Sequence, residues 1–177
     1  MVGLGRRPVQ PKAGGAPVTV YSLWIPGQPV PKGRPKFRAA GAFVQAYTPA
    51  ATRKAETALA RAWQAQYPAL PPLSGPLELS VVAWMPVQKG ASKKRLALIG
   101  AQGQWHTVKP DADNLLKLVQ DALNGVAYAD DNCVCAVKCM KCYGLSPGLT
   151  LRLRALDETP NQYLDGLVRP KKEGTIP

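Results

Sequence analysis

The hydrophobic pattern divides the chain into short strands and amphipathic helices separated by segments rich in proline and glycine. β-branched or aromatic runs, partly alternating with polar residues, predict strands at 18–25, 77–85, 133–143 and 149–156. A turn at Ser146-Pro147-Gly148 separates the last two strands. Residues 42–47 are expected to pair back on the extended segment 26–41 as a hairpin.

Three helices are expected between these strands, at about 49–67, 93–98 and 113–124. Thr48 is predicted as the N-cap of the first helix, with Pro49 at its first position. Asn124-Gly125 ends the last helix. The order βββαβ(α)αββ predicts an α/β (α+β) fold, a single compact domain with a mixed sheet and its helices packed on one face.

The two ends of the chain differ in composition from this domain. Residues 1–17 predict a flexible basic N-terminal arm, residues 18–156 the folded domain, and residues 157–177 a polar C-terminal tail. No apolar run approaches the length of a membrane span, and the N-terminus lacks the apolar region of a secretory signal. We therefore expect a cytoplasmic protein that does not bind in a membrane.

The formal net charge of +12 favours a polyanionic partner, nucleic acid before an anionic membrane surface. The acidic residues are unevenly placed, because only Glu56 and Glu78 precede residue 111. Five aspartates then follow within one short segment, at positions 111, 113, 121, 130 and 131. Carboxylates repel phosphates unless metal ions bridge the two, so this segment favours a metal site. The alternative is an N-capped helix with a solvated acidic face and an Asp-Asp turn.

The spacing within the segment limits which side chains can meet. Pro110 keeps the preceding residue extended, so Asp111 is expected just outside the helix and Asp113 at its start, where the helix dipole favours a carboxylate. Asp113, Lys117 and Asp121 are four residues apart and share one stripe of the helix. Carboxylates in this arrangement can hold one or two Mg²⁺ ions, and Lys117 can offset charge on a scissile phosphate.

Several motifs in combination resemble the RusA family of crossover junction endodeoxyribonucleases, which resolve Holliday junctions. The similar strings are KPDADNLLK, DALNG, GQPVPKGRPKFR, YTPAATRKAE and the Asp130-Asp131 pair after Tyr128, within about residues 20–155. The resemblance implies a Mg²⁺-dependent homodimer, with Mn²⁺ as an expected substitute, that cuts four-way DNA junctions by paired symmetric nicks in recombination and repair.

The resemblance also assigns roles to individual residues. The family's catalytic, metal-binding carboxylates fall on Asp111, Asp113 and Asp131, and its essential lysine on Lys117. Asp130 is expected to be a supporting metal ligand. The sequence departs from the family at Cys133, where a glutamine is common, and this leaves open whether the DNA contacts differ.

Two basic clusters are candidate DNA-binding residues. In the first, cations occupy every second position of an extended segment, so they project to one side. These residues are Lys32, Arg34, Lys36 and Arg38. The second, Lys93, Lys94 and Arg95, lies in a basic loop. The alternatives are a solvated edge that prevents aggregation for the first cluster and a soluble loop for the second.

The remaining candidate residues suggest structural roles. The four cysteines, Cys133, Cys135, Cys139 and Cys142, lie in a predicted strand with Cys142 on the opposite face, so no structural zinc is expected. His106, the only histidine, is expected on a loop beside the acidic site. The four tryptophans favour core positions over base stacking, and Trp105 is the one to test. A non-catalytic DNA-binding protein and a basic zinc module are the competing functions.

Overall fold

A computed structural model describes residues 19–40 and 43–165 of the chain. The strands are β1 (Val20–Pro26), β2 (Lys36–Ala40), β3 (Phe43–Tyr47), β4 (Leu77–Pro86), β5 (Val134–Gly144) and β6 (Gly148–Ala155). The helices are α1 (Ala50–Gln66), α2 (Lys93–Gln102), α3 (Ala112–Leu123) and α4 (Pro160–Asp165), with a short 3₁₀ turn at Asp131–Cys133. None of the helices in the described part is long and apolar enough to cross a membrane.

Four strands form a mixed sheet in the order β1-β6-β4-β5. β4 and β5 are parallel, whereas β6 pairs antiparallel with both β1 and β4. β2 and β3 form a separate antiparallel hairpin, with Lys36 opposite Tyr47. The mixed sheet and the predicted hairpin are thus confirmed, and the hairpin stands apart from the sheet.

The core lies between one face of the sheet and the two long helices. Alternate residues of β4, from Leu77 to Met85, are buried on this face. Leu59 and Trp63 of α1 and Leu118 of α3 belong to the same buried cluster. The apolar stripe of α3 is therefore its packing face, which leaves the stripe of Asp113, Lys117 and Asp121 on another side of the helix.

The other face of the sheet differs from the prediction that the helices pack on one face. Glu78 points away from the core by the alternation of β4, and the Tyr163 hydroxyl of α4 lies 3.2 Å from its carboxylate. A short helix therefore covers part of this face, at the start of the segment predicted as a polar tail. The predicted N-terminal arm and residues 166–177 lie outside the described residues.

Two helix starts also differ in detail from the sequence prediction. Pro49, not Thr48, is the N-cap position of α1, and it makes no side-chain cap bond because proline has no polar side chain. α2 begins at Lys93, where Ser92 caps its start. It continues to Gln102, beyond the short helix that was predicted, and Gly103 ends it at a positive φ of 74°.

The segment before β2 is fastened between α1 and α3. The Gly33 amide donates to the Thr52 hydroxyl at 3.1 Å, and the Lys32 amide donates to the Asn114 carbonyl at 2.8 Å. A Cβ at position 33 would lie 2.9 Å from that hydroxyl oxygen, so glycine allows this close approach. These contacts place Lys32 beside α3.

Candidate active site and nucleic-acid surface

Two of the predicted carboxylates lie together at the start of α3. Asp111 occupies the N-cap position with an extended backbone, and its side chain makes no cap hydrogen bond. Asp113 lies in the first turn, and both side chains are exposed. The prediction that Asp111 lies just outside the helix is confirmed. Neither carboxylate has an ion-pair or hydrogen-bond partner among the described residues, so both are available to an external ligand.

The edge of the sheet holds the segment that leads into these carboxylates. The Lys141 ammonium donates to the carbonyls of Val108 and Pro110, at 2.9 and 2.5 Å. The Cys139 thiol lies 3.3 Å from the Ala112 carbonyl. The His106 amide donates to the Lys141 carbonyl at 3.0 Å. Residues 104–112 therefore follow β5 and fix where α3 begins.

Asp130 and Asp131 differ in their local roles. The Asp130 carboxylate accepts from the Asn132 amide at 2.8 Å and so caps the 3₁₀ turn. Asp131 begins that turn and is half-buried; its carbonyl accepts from the Val134 amide, and its carboxylate has no hydrogen-bond partner among the described residues. The Asp130 carboxylate thus serves the backbone, whereas that of Asp131 does not, and the metal-binding roles of both residues stay predictions.

Asp131 lies near Tyr128, whose hydroxyl contacts the second half of α3. Burial, followed by the charges of Asp131 and Asp121, raises the pKa of the Tyr128 phenol far above its usual value. The Tyr128 hydroxyl donates to the Gln120 carbonyl at 2.9 Å. Gln120 is seven residues beyond Asp113, which corresponds to about 10 Å along the helix. The Tyr128 hydroxyl therefore contacts a turn of α3 that lies well beyond Asp113.

The grouping of the acidic side chains decides how a metal ion could bind at the predicted site. Within residues 19–40 and 43–165, no group of three or more histidine, cysteine or acidic side chains is placed to hold a metal ion. The oxygen donors of Asp111 and Asp113 nevertheless suit Mg²⁺, which usually binds through one or two carboxylates, several waters and substrate phosphates. The first turn of α3 thus fits the chemistry of the expected ion without forming a closed cage.

A charge network covers the middle of α3. The Lys32 ammonium lies 2.6 Å from Asp121 and 2.5 Å from Glu56 of α1, and Lys117 lies 3.2 Å from Asp121. Burial alone would lower the pKa of Lys32, but hydrogen bonds to Asp121 and Glu56 outweigh it and raise the pKa. Burial would raise the pKa of Asp121, and the bonds from Lys32 and Lys117 instead lower it.

The network changes the interpretation of two predicted residues. Lys117 is 60% exposed in its pair with Asp121, and such exposed pairs are weak, so its ammonium can turn to a phosphate. Lys32 is directed into the protein, because two carboxylates hold it with only 24% of its side chain exposed. The i,i+4 spacing of Lys117 and Asp121 could be predicted from the sequence, but no local signal joined Lys32 to Glu56.

The predicted row of four cations is divided accordingly. Lys36 and Arg38 lie on the separate hairpin, and the Arg38 guanidinium donates to Gln45 at 2.8 and 3.0 Å. Arg34 and Lys36 are exposed and have no ionic partner in the described part of the chain. The four side chains therefore do not form one uniform row, because Lys32 alone belongs to the body of the domain.

The second basic cluster lies on α2. Lys93 and Lys94 are exposed in its first turn. Arg95 is half-buried, lies over the Tyr143 ring at 5.1 Å and donates to Gln104 at 3.4 Å. DNA binding by this cluster stays a prediction, with the two lysines as its available members.

His106, Cys139 and Cys142 lie in different surroundings. His106 is buried against Tyr143, with ring centroids 4.8 Å apart. Burial, and then the charge of Lys141, lower the pKa of its imidazole, so His106 is neutral at pH 7. Cys139 approaches α3 on the core side, whereas Cys142 lies on the opposite face beside Trp84. The expectation of no structural zinc stays a prediction.

Comparison with known proteins agrees with the motifs in the sequence. The family model described as "Endodeoxyribonuclease RusA" matches residues 26–154. The "Uncharacterized protein YqaN" of Bacillus subtilis (strain 168) is 32% identical over 140 residues, which cover 77% of this chain and 93% of that protein. The matched region includes Asp111, Asp113 and Asp131 at the positions described above. The chain belongs to the RusA family of endodeoxyribonucleases.

Proposed function

We propose that this protein is a Mg²⁺-dependent endonuclease that cuts four-way and related branched DNA by paired nicks. Membership of the RusA family supports nuclease activity. The observation that carries the proposal is the pair of exposed carboxylates, Asp111 and Asp113, at the start of α3 in a chain of net charge +12. A surface that binds DNA and keeps such carboxylates unpaired needs metal ions to offset their repulsion of phosphate.

Three carboxylates are proposed to serve the metal, and one lysine the phosphate. Asp111 and Asp113 supply oxygen ligands beside the helix N-terminus, and Asp131 supplies a further carboxylate. A bound Mg²⁺ ion would lower the pKa of water and neutralise charge on the scissile phosphate. Lys117, one turn beyond Asp113, turns from Asp121 towards that phosphate. Asp130 remains the cap of the 3₁₀ turn and has a supporting part.

Symmetric cleavage of a four-way junction requires two sites related by a two-fold axis. We therefore propose a homodimer in which each protomer carries one copy of the acidic site. The proposal is supported by the two-fold symmetry of the expected substrate and by the family resemblance.

A cleavage assay tests this function. The protein is incubated with a labelled four-way junction, or with a linear duplex of the same sequence, with and without Mg²⁺. We expect paired nicks in the junction only, and only with the metal. Asp113→Asn should reduce the cleavage rate by about 100-fold or more, because it removes a metal ligand, whereas its junction affinity without metal should hold or rise.

The matched control is Asp130→Asn, which changes an adjacent carboxylate used by the protein backbone. Its cleavage rate should fall much less than that of Asp113→Asn or Asp131→Asn. Wild-type cleavage by Asp113→Asn would show that the site is assigned wrongly. A wild type that binds the junction but never cuts it with Mg²⁺ or Mn²⁺ would favour a non-catalytic DNA-binding protein.

A further inference from the structure

Three tryptophans lie on the face of the sheet opposite α1 and α3. Trp24 of β1 and Trp84 of β4 point to this face by the alternation of their strands. Trp105 forms an antiparallel bridge to Cys142, which is itself the partner of Trp84 in β5. Trp84, Cys142 and Trp105 line one hollow, so the third ring lies on the same face.

The three rings form a row across the sheet. Trp24 and Trp84 are two strands apart, and Trp84 and Trp105 are again two strands apart. At about 4.8 Å per strand, the row is about 19 Å long. An open hollow of about 630 Å³ is lined by both Trp24 and Trp84, and its volume is within the range of about 300–1,000 Å³ found for ligand sites.

Glycines allow two of these tryptophans to lie close to the backbone. A Cβ at Gly148 would clash with the Trp24 indole, and a Cβ at Gly144 would lie 2.9 Å from the Trp84 Cβ. Trp84 is oriented further, because its indole nitrogen donates to the Thr150 hydroxyl at 2.9 Å. Trp24 remains 45% exposed and Trp105 67% exposed. Trp24 and Trp105 are thus the two tryptophans of the row with a large solvent-exposed surface.

The surroundings of the row are basic. Residues 79–110 contain five lysines and arginines and no acidic residue. Two of these cations, Lys93 and Lys94, are exposed on α2, whose residues 99–102 line the hollow between Trp24 and Trp84. Exposed aromatic rings beside a positive surface are the combination that binds single-stranded nucleic acid, since bases stack on the rings while cations contact phosphates.

We propose that Trp24, Trp84 and Trp105 form a stacking platform for unpaired nucleotides of the DNA substrate. This inference deepens the proposed function and rests on it for the identity of the substrate. Trp105 and Asp111 are six residues apart on the segment that follows β5, so their Cα atoms are at most about 20 Å apart. A strand whose bases are unpaired at the branch point would therefore run from the platform towards the acidic site.

The test compares Trp105→Leu with Trp105→Phe. Both changes are at an exposed side chain and should leave the fold intact, but only phenylalanine keeps an aromatic face. The probe is an oligo-dT of about 20 nucleotides, longer than the roughly 4–16 nucleotides of a typical single-strand site. Binding is followed without metal by quenching of tryptophan fluorescence, to which buried Trp63 should contribute little change.

We expect Trp105→Leu to lose about 5- to 150-fold in affinity for oligo-dT, and Trp105→Phe to lose much less. Equal affinity of the leucine variant and the wild type would overturn the inference. It would also be overturned if Trp105→Leu weakened self-association in sedimentation velocity but kept its affinity for oligo-dT, since the face would then contact a second copy.

Cleavage of the four-way junction is measured on the same samples to separate the two proposals. A wild type that binds oligo-dT through Trp105 but cuts no branched DNA would refute the nuclease function and support the platform. A wild type that cuts junctions while Trp105→Leu binds oligo-dT normally would support the nuclease and refute the platform.

Discussion

Lys32 and Lys36 are four residues apart in one basic motif, yet the structure predicts different consequences when each is changed to methionine. Lys32 contacts two carboxylates, Asp121 and Glu56, whereas Lys36 is exposed on the hairpin. Methionine keeps much of the side-chain volume and removes the charge. Lys32→Met should therefore reduce stability, and Lys36→Met should reduce DNA binding.

The size of each effect follows from exposure. Lys32 and its two partners, Glu56 and Asp121, are 21–27% exposed, between the surface pairs worth about 0–1 kcal/mol and the buried pairs whose rupture costs about 3–5 kcal/mol. We expect Lys32→Met to lose about 2 kcal/mol, or about 4–8 °C in melting temperature for a chain of this size. Lys36→Met should stay within about 0.5 kcal/mol of the wild type.

The pH dependence of the Lys32 effect has a defined window. The pKa of Asp121 is lowered in the folded protein, so its contribution is complete above its unfolded value and is lost as pH falls through the folded value. The pKa of Lys32 is raised, so its contribution is complete below its unfolded value and is lost as pH rises through the folded value. The difference between variant and wild type should be largest between about pH 4 and pH 10.

DNA binding is measured as junction affinity over a salt series without metal. Each phosphate contact contributes about 0.9 to the slope of log affinity against log salt. Lys36→Met should lower the slope by about that amount, while Lys32→Met should leave it unchanged. A lower slope for Lys32→Met together with an unchanged melting temperature would refute the internal role of Lys32 and restore it to the DNA-binding row.

Two further predictions concern the other face of the sheet and the cysteines. Glu78→Gln should cost about 2–3 kcal/mol by thermal melting, because Glu78 is buried and binds both Lys138 and Arg154, while the control Glu158→Gln, at a half-buried carboxylate that binds Arg154 alone, should cost less. Burial alone would raise the pKa of Glu78, but its bonds to Lys138 and Arg154 outweigh burial and lower the pKa. The stability that the charged carboxylate contributes is therefore lost at low pH, and the cost of Glu78→Gln should shrink as pH falls below about 4.5. A cost independent of pH would contradict the charge assignment. The serine variants of the four cysteines should retain cleavage activity, and stoichiometric zinc with unfolding on chelation would contradict a purely structural role.

Local sequence signals were sufficient for most of the secondary structure. The alternation in β4 identified both the strand and its buried face, and Asn124-Gly125 marked the end of α3. The start of α1 was predicted one residue too early. Thr48 and Pro49 match the residue preferences of the N-cap and first helical positions, but in the structure Pro49 is the N-cap and the helix begins at Ala50. α4 was missed because its stability depends on Tyr163 meeting Glu78, a contact between residues far apart in sequence.

The acidic site was predicted more completely in its chemistry than in its geometry. Asp111 and Asp113 could be placed at a helix start from Pro110 and the apolar stripe alone. The position of Asp131 depends on how Tyr128 docks against Gln120, which no local pattern specifies. The ion pairs of Lys32 were not predicted for a similar reason, since its partners Asp121 and Glu56 come from two different helices.

The geometry of α3 places a physical condition on any mechanism that uses all three carboxylates. Oxygen ligands of one Mg²⁺ ion lie about 2.1 Å from it, so they are only about 3–4 Å apart. Asp111 and Asp113 lie at the start of α3, and within residues 19–40 and 43–165 Asp131 does not join them in a group of three placed to hold a metal ion. Asp111→Asn and Asp113→Asn should therefore weaken Mg²⁺ binding by the free protein more than Asp131→Asn does. Equal losses of metal affinity in all three variants would show that the carboxylates share one ion before DNA binds.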